Sequence, residues 1–149
     1  MNGNMKPSDR AAIVGVIDPD LNAAGTVTTG WVAMADWGSL MALVAVGALG
    51  TASTVDAKLE QATDGAGTGA KDITGKAITQ LTDAGSDSDK QALINVFNDD
   101  LDINNAFTHV RLSMTVTTAS SDSAGFLLGL DPRNGVASAN DAATVDEIV

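Results

Sequence analysis

Two segments of the chain alternate apolar and polar residues with a period of two, and this alternation limits the fold more than any other feature of the sequence. The segments are residues 54–61 and residues 107–118. Their apolar positions are Val55, Ala57 and Leu59 in the first and Val110, Leu112, Met114 and Val116 in the second. Successive side chains of a strand point to opposite faces of a sheet, so this pattern predicts two half-buried β-strands.

Further short segments rich in Val, Ile, Leu and Thr end at Gly, Asn, Asp or Pro, as strands do. They are Ala12–Ile17, Val27–Ala35, Ser39–Gly50, Ile78–Leu81, Lys90–Phe97 and Ser123–Leu130, with a shorter one around Ile73. No long helical period separates them. We therefore predict an all-β fold, an antiparallel β-sandwich of jelly-roll-like form. The sandwich would be a single domain over residues 11–132, with a flexible N-terminal arm (1–10) and a C-terminal tail (133–149).

The most apolar stretch, Ser39–Gly50, is about half as long as a helix that crosses a bilayer. A buried strand is the favoured interpretation. Residues 1–10 are polar and lack the apolar region that follows the basic start of a secretion signal. We therefore expect no membrane partner and no export signal.

The charge and composition exclude several classes of function. The net charge is −11, from 8 basic and 19 acidic residues, which argues against binding nucleic acid or anionic lipid. Cysteine is absent, so disulfides, thiolate nucleophiles and cysteine-based zinc sites are excluded. Aromatic residues make up 3% of the chain and tyrosine is absent, which leaves few side chains on which sugars or bases could stack.

The sequence contains few residues or motifs that could carry out catalysis. The single histidine, His109, lies four residues from Ser113, about 13 Å away in a strand, and the chain has no Gly-x-Ser-x-Gly elbow. The glycine-rich loop Gly65–Gly69 lacks the Walker pattern, and an extended segment, Lys71–Gly75, follows it where a phosphate-binding loop would open a helix. We expect the chain not to be an enzyme and to carry no cofactor.

Two acidic clusters and two tryptophans allow more than one interpretation. The clusters are Asp83, Asp87 and Asp89, and Asp99, Asp100 and Asp102. They lack the spacing of an EF-hand, so they are either solvated turns, which is the default, or an interface calcium site; we expect no metal. Trp31 and Trp37 either pack in the core or anchor a subunit contact.

The order of segments resembles that of small proteins encoded beside the major capsid protein of tailed phages. In those proteins an apolar strand precedes a Thr-Val-x-x-Lys-Leu-Glu/Gln-type strand and a glycine-rich loop. A Lys-Asp-Ile-Thr-Gly-type segment, an Ala-Ile-Thr-x-Leu-Thr stretch and a later Val-Arg-Leu-type strand follow. The matching parts here are Leu40–Leu49, Thr54–Gln61, Asp64–Gly69, Lys71–Gly75, Ala77–Thr82 and Val110–Thr117. The resemblance covers residues 12–130, and the run from Lys58 to Gly75 is its most distinctive part.

The resemblance implies a head decoration, cement or minor capsid protein, with no catalytic residues to transfer. It implies a virion protein on the outer surface of the capsid, made in the cytoplasm of a bacterial host. The implied partner is the major capsid protein. We also predict that the chain forms a homo-oligomer, with a trimer slightly favoured over a dimer. Candidate interface residues are Lys6, Arg10, Trp31, Trp37, His109 and Arg111. The alternatives are another phage structural subunit (neck, tail or head fibre) and a carbohydrate- or surface-binding β-sandwich module.

Overall fold

A computed structural model describes residues 4–149, and in this part of the chain ten strands form two antiparallel sheets. The strands are β1 (Ala11–Asn22), β2 (Gly25–Thr28), β3 (Val32–Ala33), β4 (Trp37–Val46), β5 (Thr54–Ala62), β6 (Lys71–Ala77), β7 (Leu81–Thr82), β8 (Gln91–Val96), β9 (His109–Thr117) and β10 (Ser121–Pro132). One helical turn, α1 (Pro7–Arg10), precedes them. Four 3₁₀ turns complete the structure: Met34–Asp36, Asn98–Asp100, Ile103–Asn105 and Ala137–Asn140.

The chain crosses repeatedly between the two sheets. Sheet A has the order β1-β10-β4-β8, and sheet B has the order β2-β9-β5-β6. Because β2 and β3 both pair with β9, and β6 and β7 both pair with β5, each of these two pairs acts as one interrupted strand. The result is eight strand positions in two four-membered sheets, which is the jelly-roll arrangement. The predicted all-β, jelly-roll-like sandwich is confirmed.

The core lies between the sheets and consists of the inward positions of the strands. The apolar faces predicted for residues 54–61 and 107–118 are confirmed, since all seven side chains are buried. The opposing side is supplied mainly by Leu40, Ala42, Val44 and Val46 of β4 and by Leu127 of β10. Alternation thus fixed which side chains face inward, because a one-residue slip would move every apolar group to the other face.

Strand β4 differs in one respect from the sequence prediction of a buried strand. Its burial alternates, with Leu40, Ala42 and Val44 fully buried and the side chains between them only partly so. The segment is therefore a strand, but only one of its two apolar faces is covered by the sandwich.

Both chain ends contact the sandwich within the described residues. Residues 1–3 of the predicted arm lie outside that part of the chain, while Arg10 pairs with Asp131 at 3.5 Å. In the predicted tail, Ala137 is fully buried. The Ile13 N–H donates to Asp141 Oδ1 and the Ala142 N–H donates to the Ile13 carbonyl, each at 2.7 Å. Residues 137–142 therefore satisfy part of the free edge of β1, and the predicted domain limits remain a prediction.

Candidate assembly surface

The outward side of sheet A, called here the sheet A outer face, is uncharged on all four strands and mainly apolar on β1, β10 and β4. It consists of the positions that alternate with the buried ones. They are Ala11, Ile13 and Val16 of β1; Leu130, Leu128 and Phe126 of β10; Ser39, Met41, Leu43 and Ala45 of β4; and Gln91, Leu93 and Asn95 of β8. None of these residues carries a charge, although 18% of the chain is charged.

Strand register aligns these side chains in rows that cross the whole sheet. In one row Phe126 lies beside Leu43, with Val16 and Leu93 as the outer members. Leu93 is 58% exposed, and the other three side chains are partly exposed. This row is thus a continuous apolar ridge without a polar break, since cross-strand neighbours on one face lie about 5 Å apart.

The next row repeats this composition one pleat further along the strands. It joins Ile13, Leu128 and Met41 and ends at Asn95 of β8. None of the three apolar side chains packs against the core cluster. Charged groups stand at the ends of the face, where Asp122 lies at one end and the Arg10–Asp131 pair at the other.

The dimensions of this face are those of a binding surface. Four strands about 4.8 Å apart and seven residues about 3.4 Å apart along each strand give an area of about 450 Å². A strand with apolar residues on both sides is typical of a sheet covered on both faces. Soluble monomers rarely expose a larger contiguous apolar patch than about 300–600 Å², and patches of that size are often functional.

The outer face of sheet B has the opposite chemistry. Arg111 Nε donates to Glu60 Oε2 at 2.7 Å, and Lys58 Nζ donates to Asp72 Oδ1 at 2.7 Å. Hydroxyl pairs extend the face, with 2.8 Å between the Oγ1 atoms of Thr26 and Thr115. This face is polar and satisfies its own charges, so it has no need of a covering partner.

Proton equilibria support this picture of paired charges around sheet B. The hydrogen bond from Lys58 to Asp72 raises the pKa of the Lys58 ammonium group above its usual value. Hydrogen bonds from Lys71 and Asn105 lower the pKa of the Asp102 carboxyl group. Both shifts favour the charged forms of Lys58 and Asp102.

The six residues predicted as interface contacts lie in three separate places. Lys6 directly precedes the helical turn α1 and Arg10 is its last residue, so both lie near one end of sheet A. Trp37 is 2% exposed and packs in the core, where it presents almost no surface to a partner. The other three, Trp31, His109 and Arg111, lie together at the sheet B side.

The two tryptophans are separated because the chain between them does not continue as one strand. The 3₁₀ turn Met34–Asp36 passes the chain from sheet B to sheet A, so Trp31 lies beside sheet B and Trp37 in sheet A. The Arg111 guanidinium covers the Trp31 ring at 4.5 Å. Gly67 approaches the indole so closely that an added methyl group there would lie 2.5 Å from Trp31 Nε1. Trp31 is therefore partly covered, whereas Trp37 is fully buried.

The groups that could carry chemistry form structural contacts instead. His109 Nδ1 lies 2.9 Å from the Thr108 hydroxyl. In the glycine-rich loop, Asp64 Oδ1 accepts the N–H groups of Ala66 and Thr68 at 3.0 Å each, and the Thr68 bond is the main cause of a lowered Asp64 pKa. The loop leads into the strand β6 and not into a helix.

The acidic clusters are likewise used in turns. Asp87 Oδ2 accepts the Thr82 N–H at 2.9 Å, and Asp100 Oδ2 accepts the Phe97 N–H at 2.8 Å. Among residues 4–149, no group of three or more His, Asp or Glu side chains is placed to hold a metal ion. The same part of the chain has no helix with the length and apolar character needed to span a membrane.

The sequence analysis missed the sheet A outer face, although a signal for it was present. Ser39–Gly50 is apolar at both parities, and so is Gly125–Leu130, where Phe126 and Leu128 alternate with the buried Leu127. Two neighbouring strands of this kind make a sheet with two apolar faces. Only the pairing of β4 with β10 shows that these segments are adjacent.

Comparisons with known proteins give a limited result. No family model and no curated protein matches the chain. Among solved structures, it is similar to a chain of Cowpea mosaic virus empty particles, with 13% identity, 86% of each chain covered and a TM-score of 0.44. It is also similar to a chain of Broad bean stain virus (16% identity, 82% of this chain and 66% of that one, TM-score 0.39).

A third similar chain belongs to infectious bursal disease virus, with 11% identity, 89% of this chain and 38% of that one covered, and a TM-score of 0.38. All three TM-scores are below 0.5, so these similarities carry no argument about function. The resemblance to phage head proteins described above therefore remains a prediction.

Proposed function

We propose that the chain is a non-enzymatic structural subunit of a virion, a decoration or cement protein that binds the major capsid protein on the outer surface of a tailed-phage head and stabilises the shell. The observation that carries this proposal is the uncharged, apolar sheet A outer face. A face of this kind is suited to binding protein.

The magnitude of the possible binding energy fits a subunit that is present in many copies. Covering about 450 Å² at about 25 cal/mol per Å² contributes at most about 11 kcal/mol, since the face includes polar and half-buried positions. Association costs about 4–15 kcal/mol in lost translational and rotational freedom. One face alone is therefore marginal, and repeated or linked contacts on a symmetric particle would make the attachment stable.

The polarity of the rest of the molecule agrees with this role. A net charge of −11 keeps a free subunit soluble and disfavours nucleic acid inside a head as the partner. The burial of Trp37 and the Arg111 guanidinium over the Trp31 ring argue against a glycan-binding module, because such sites generally need exposed Trp or Tyr rings. A neck, tail or head-fibre subunit would use the same kind of face, and labelling the protein on purified particles separates these positions.

The direct test uses phage shells assembled without this protein. We expect the purified chain to bind them saturably, at a fixed ratio to the major capsid protein, and to raise the melting temperature of the shell. Shells that already carry their full complement are the control and should take up no more. Failure to bind undecorated shells would reject the proposal.

A further inference from the structure

We propose that Asn134 is a site of spontaneous covalent modification, at which the side-chain amide reacts with the backbone nitrogen of Gly135 and is converted to aspartate and isoaspartate. The isoaspartate product loosens the C-terminal segment 137–142 from the edge of β1. This inference is independent of the proposed function, since the chemistry takes place within a single chain.

The reaction is an intramolecular deamidation. The Gly135 nitrogen bonds to Cγ of Asn134, the Cγ–Nδ2 bond breaks, and the amide leaves as ammonia with the former N–H proton of Gly135. Water then opens the resulting succinimide ring at one of its two carbonyl carbons. Opening at Cγ leaves aspartate, and opening at the main-chain carbon leaves isoaspartate, in which the main chain runs through the side chain. Water is the only co-reactant, and nothing is oxidised or reduced.

The local sequence and backbone favour ring closure. Among the asparagines of residues 4–149, Asn134 alone is followed by glycine, whose nitrogen is open to approach because the residue has no side chain. Residues 133–136 belong to neither a helix nor a strand. Gly135 has a φ of +70°, and a methyl group built on it would have no atom within 4 Å. Neighbouring groups therefore do not block the backbone rotation that ring closure requires.

In the described part of the chain, no hydrogen bond restrains the reacting groups. The Asn134 amide and the Gly135 N–H have no partner there, and Asn134 is exposed. Other asparagine side chains are held in place. Asn22 Nδ2 donates to a carbonyl of β10 at 2.9 Å, and Asn105 Nδ2 donates to the Asp102 carboxylate at 2.9 Å. The Asn134 amide is thus able to turn towards the Gly135 nitrogen, and water has access to the ring.

A related pair, Asp64 and Gly65, is protected by hydrogen bonds. An Asp-Gly pair closes the same ring when its carboxyl group is protonated. Asp64 Oδ1 accepts the N–H groups of Thr68 and Ala66 at 3.0 Å each, and these bonds both hold the side chain and lower the pKa of its carboxyl group. The fold therefore restrains this pair and leaves the one at Asn134 open.

The site lies between two fixed points of the chain. On one side, Arg133 donates two hydrogen bonds of 2.9 Å to main-chain carbonyls at or next to the first residue of β4. On the other side, the fully buried Ala137 begins the segment that bonds to Ile13 of β1. Isoaspartate adds a methylene group to the main chain between these points and one negative charge to the net −11. We therefore expect segment 137–142 to cover the edge of β1 less tightly.

Peptide mapping of the full chain tests the chemistry. After incubation in warm neutral buffer, a protease that cleaves before aspartate but not before isoaspartate releases the fragment 131–140, which contains Asn140 as an internal control. We expect deamidation at Asn134 to be at least tenfold faster than at Asn140, with most of the product uncleaved before position 134. Asn134→Gln should stay unchanged over the same time, because its ring would be larger. Asn2, which also precedes a glycine, lies outside the described residues and on another fragment.

Two further comparisons test the part played by the fold and the consequence. The rate at Asn134 in the folded chain should lie within tenfold of the rate in the chain unfolded in urea. A slower folded rate, or equal rates at Asn134 and Asn140, would overturn the site. Hydrogen exchange of the Ala142 N–H should be at least threefold faster in the aged chain than in Asn134→Gln aged in the same way, with the amides of β9 unchanged. Equal exchange of Ala142 in the two samples would refute the loosening of the segment.

Discussion

The contact between Gly129 and Trp37 allows a quantitative test of the packing inside sheet A. Gly129 faces inward in β10, and the Trp37 ring lies directly over it. A methyl group at position 129 would lie 2.6 Å from Cε3 of that ring and closer still to two other ring carbons. Trp37 is 2% exposed, so the ring is enclosed by other groups of the protein and cannot move out into solvent. Gly129→Ala should therefore be strongly overpacked.

The expected size of the effect follows from this geometry. Overpacking a core by a methylene-sized group costs about 1–3 kcal/mol, and the enclosed ring places Gly129→Ala near the upper end. For a chain of this length, about 3 kcal/mol corresponds to a fall in Tm of about 6–12 °C. The measurement is urea and thermal unfolding at one fixed protein concentration, since association would make Tm depend on concentration.

Two controls separate this clash from a general effect of replacing glycine. Gly30 has no atom within 4 Å of an added methyl group, so Gly30→Ala should change stability by less than about 1 kcal/mol. The smaller ring of the Trp37→Phe variant should relieve the clash. In that variant, Gly129→Ala should therefore lower the free energy of unfolding by at least about 1 kcal/mol less than it does in the unmodified chain. The reasoning is wrong if Gly129→Ala has the same Tm as the unmodified chain. It is also wrong if Gly129→Ala lowers the free energy of unfolding equally with Trp37 and with Phe at position 37, because the ring would then not lie over Gly129.

Two further predictions concern the C-terminal segment and the acidic end of the pH range. Removing residues 136–149 should destabilise the domain by about 2–3 kcal/mol in urea unfolding, because the buried Ala137 and two hydrogen bonds with Ile13 are lost. A chain shortened by only its last four residues should be as stable as the unmodified chain. If the longer truncation is also as stable as the unmodified chain, the segment does not pack against the domain. The pKa of Asp102 is lowered in the folded state from 3.8, so its stabilising contribution is complete above that value and is lost as the pH falls through the lower, folded pKa. Between about pH 5 and about pH 2, the free energy of unfolding should therefore fall less steeply with decreasing pH for Asp102→Asn than for the unmodified chain. Parallel curves of this free energy against pH would contradict the role of the Lys71 hydrogen bond.

The sequence by itself determined the strands and their inward faces. In β5 and β9 the period of two is local, since each side chain's direction depends only on its parity along the strand. The turns that bound them are also local, because Gly, Asn, Asp and Pro set backbone geometry within a few residues. This is why the all-β class and the buried sets of these two strands could be predicted.

Only the tertiary structure decided which strands are neighbours and which surfaces remain uncovered. The sequence of β4 could not show whether the strand is covered on both faces or on one, because Leu40–Val46 is apolar at both parities. Trp31 and Trp37 have the same parity in sequence, yet a 3₁₀ turn sends them to different sheets. The sheet A outer face exists because β4 pairs with β10, about 85 residues away along the chain. Such pairing depends on long-range packing, which no short window of sequence records.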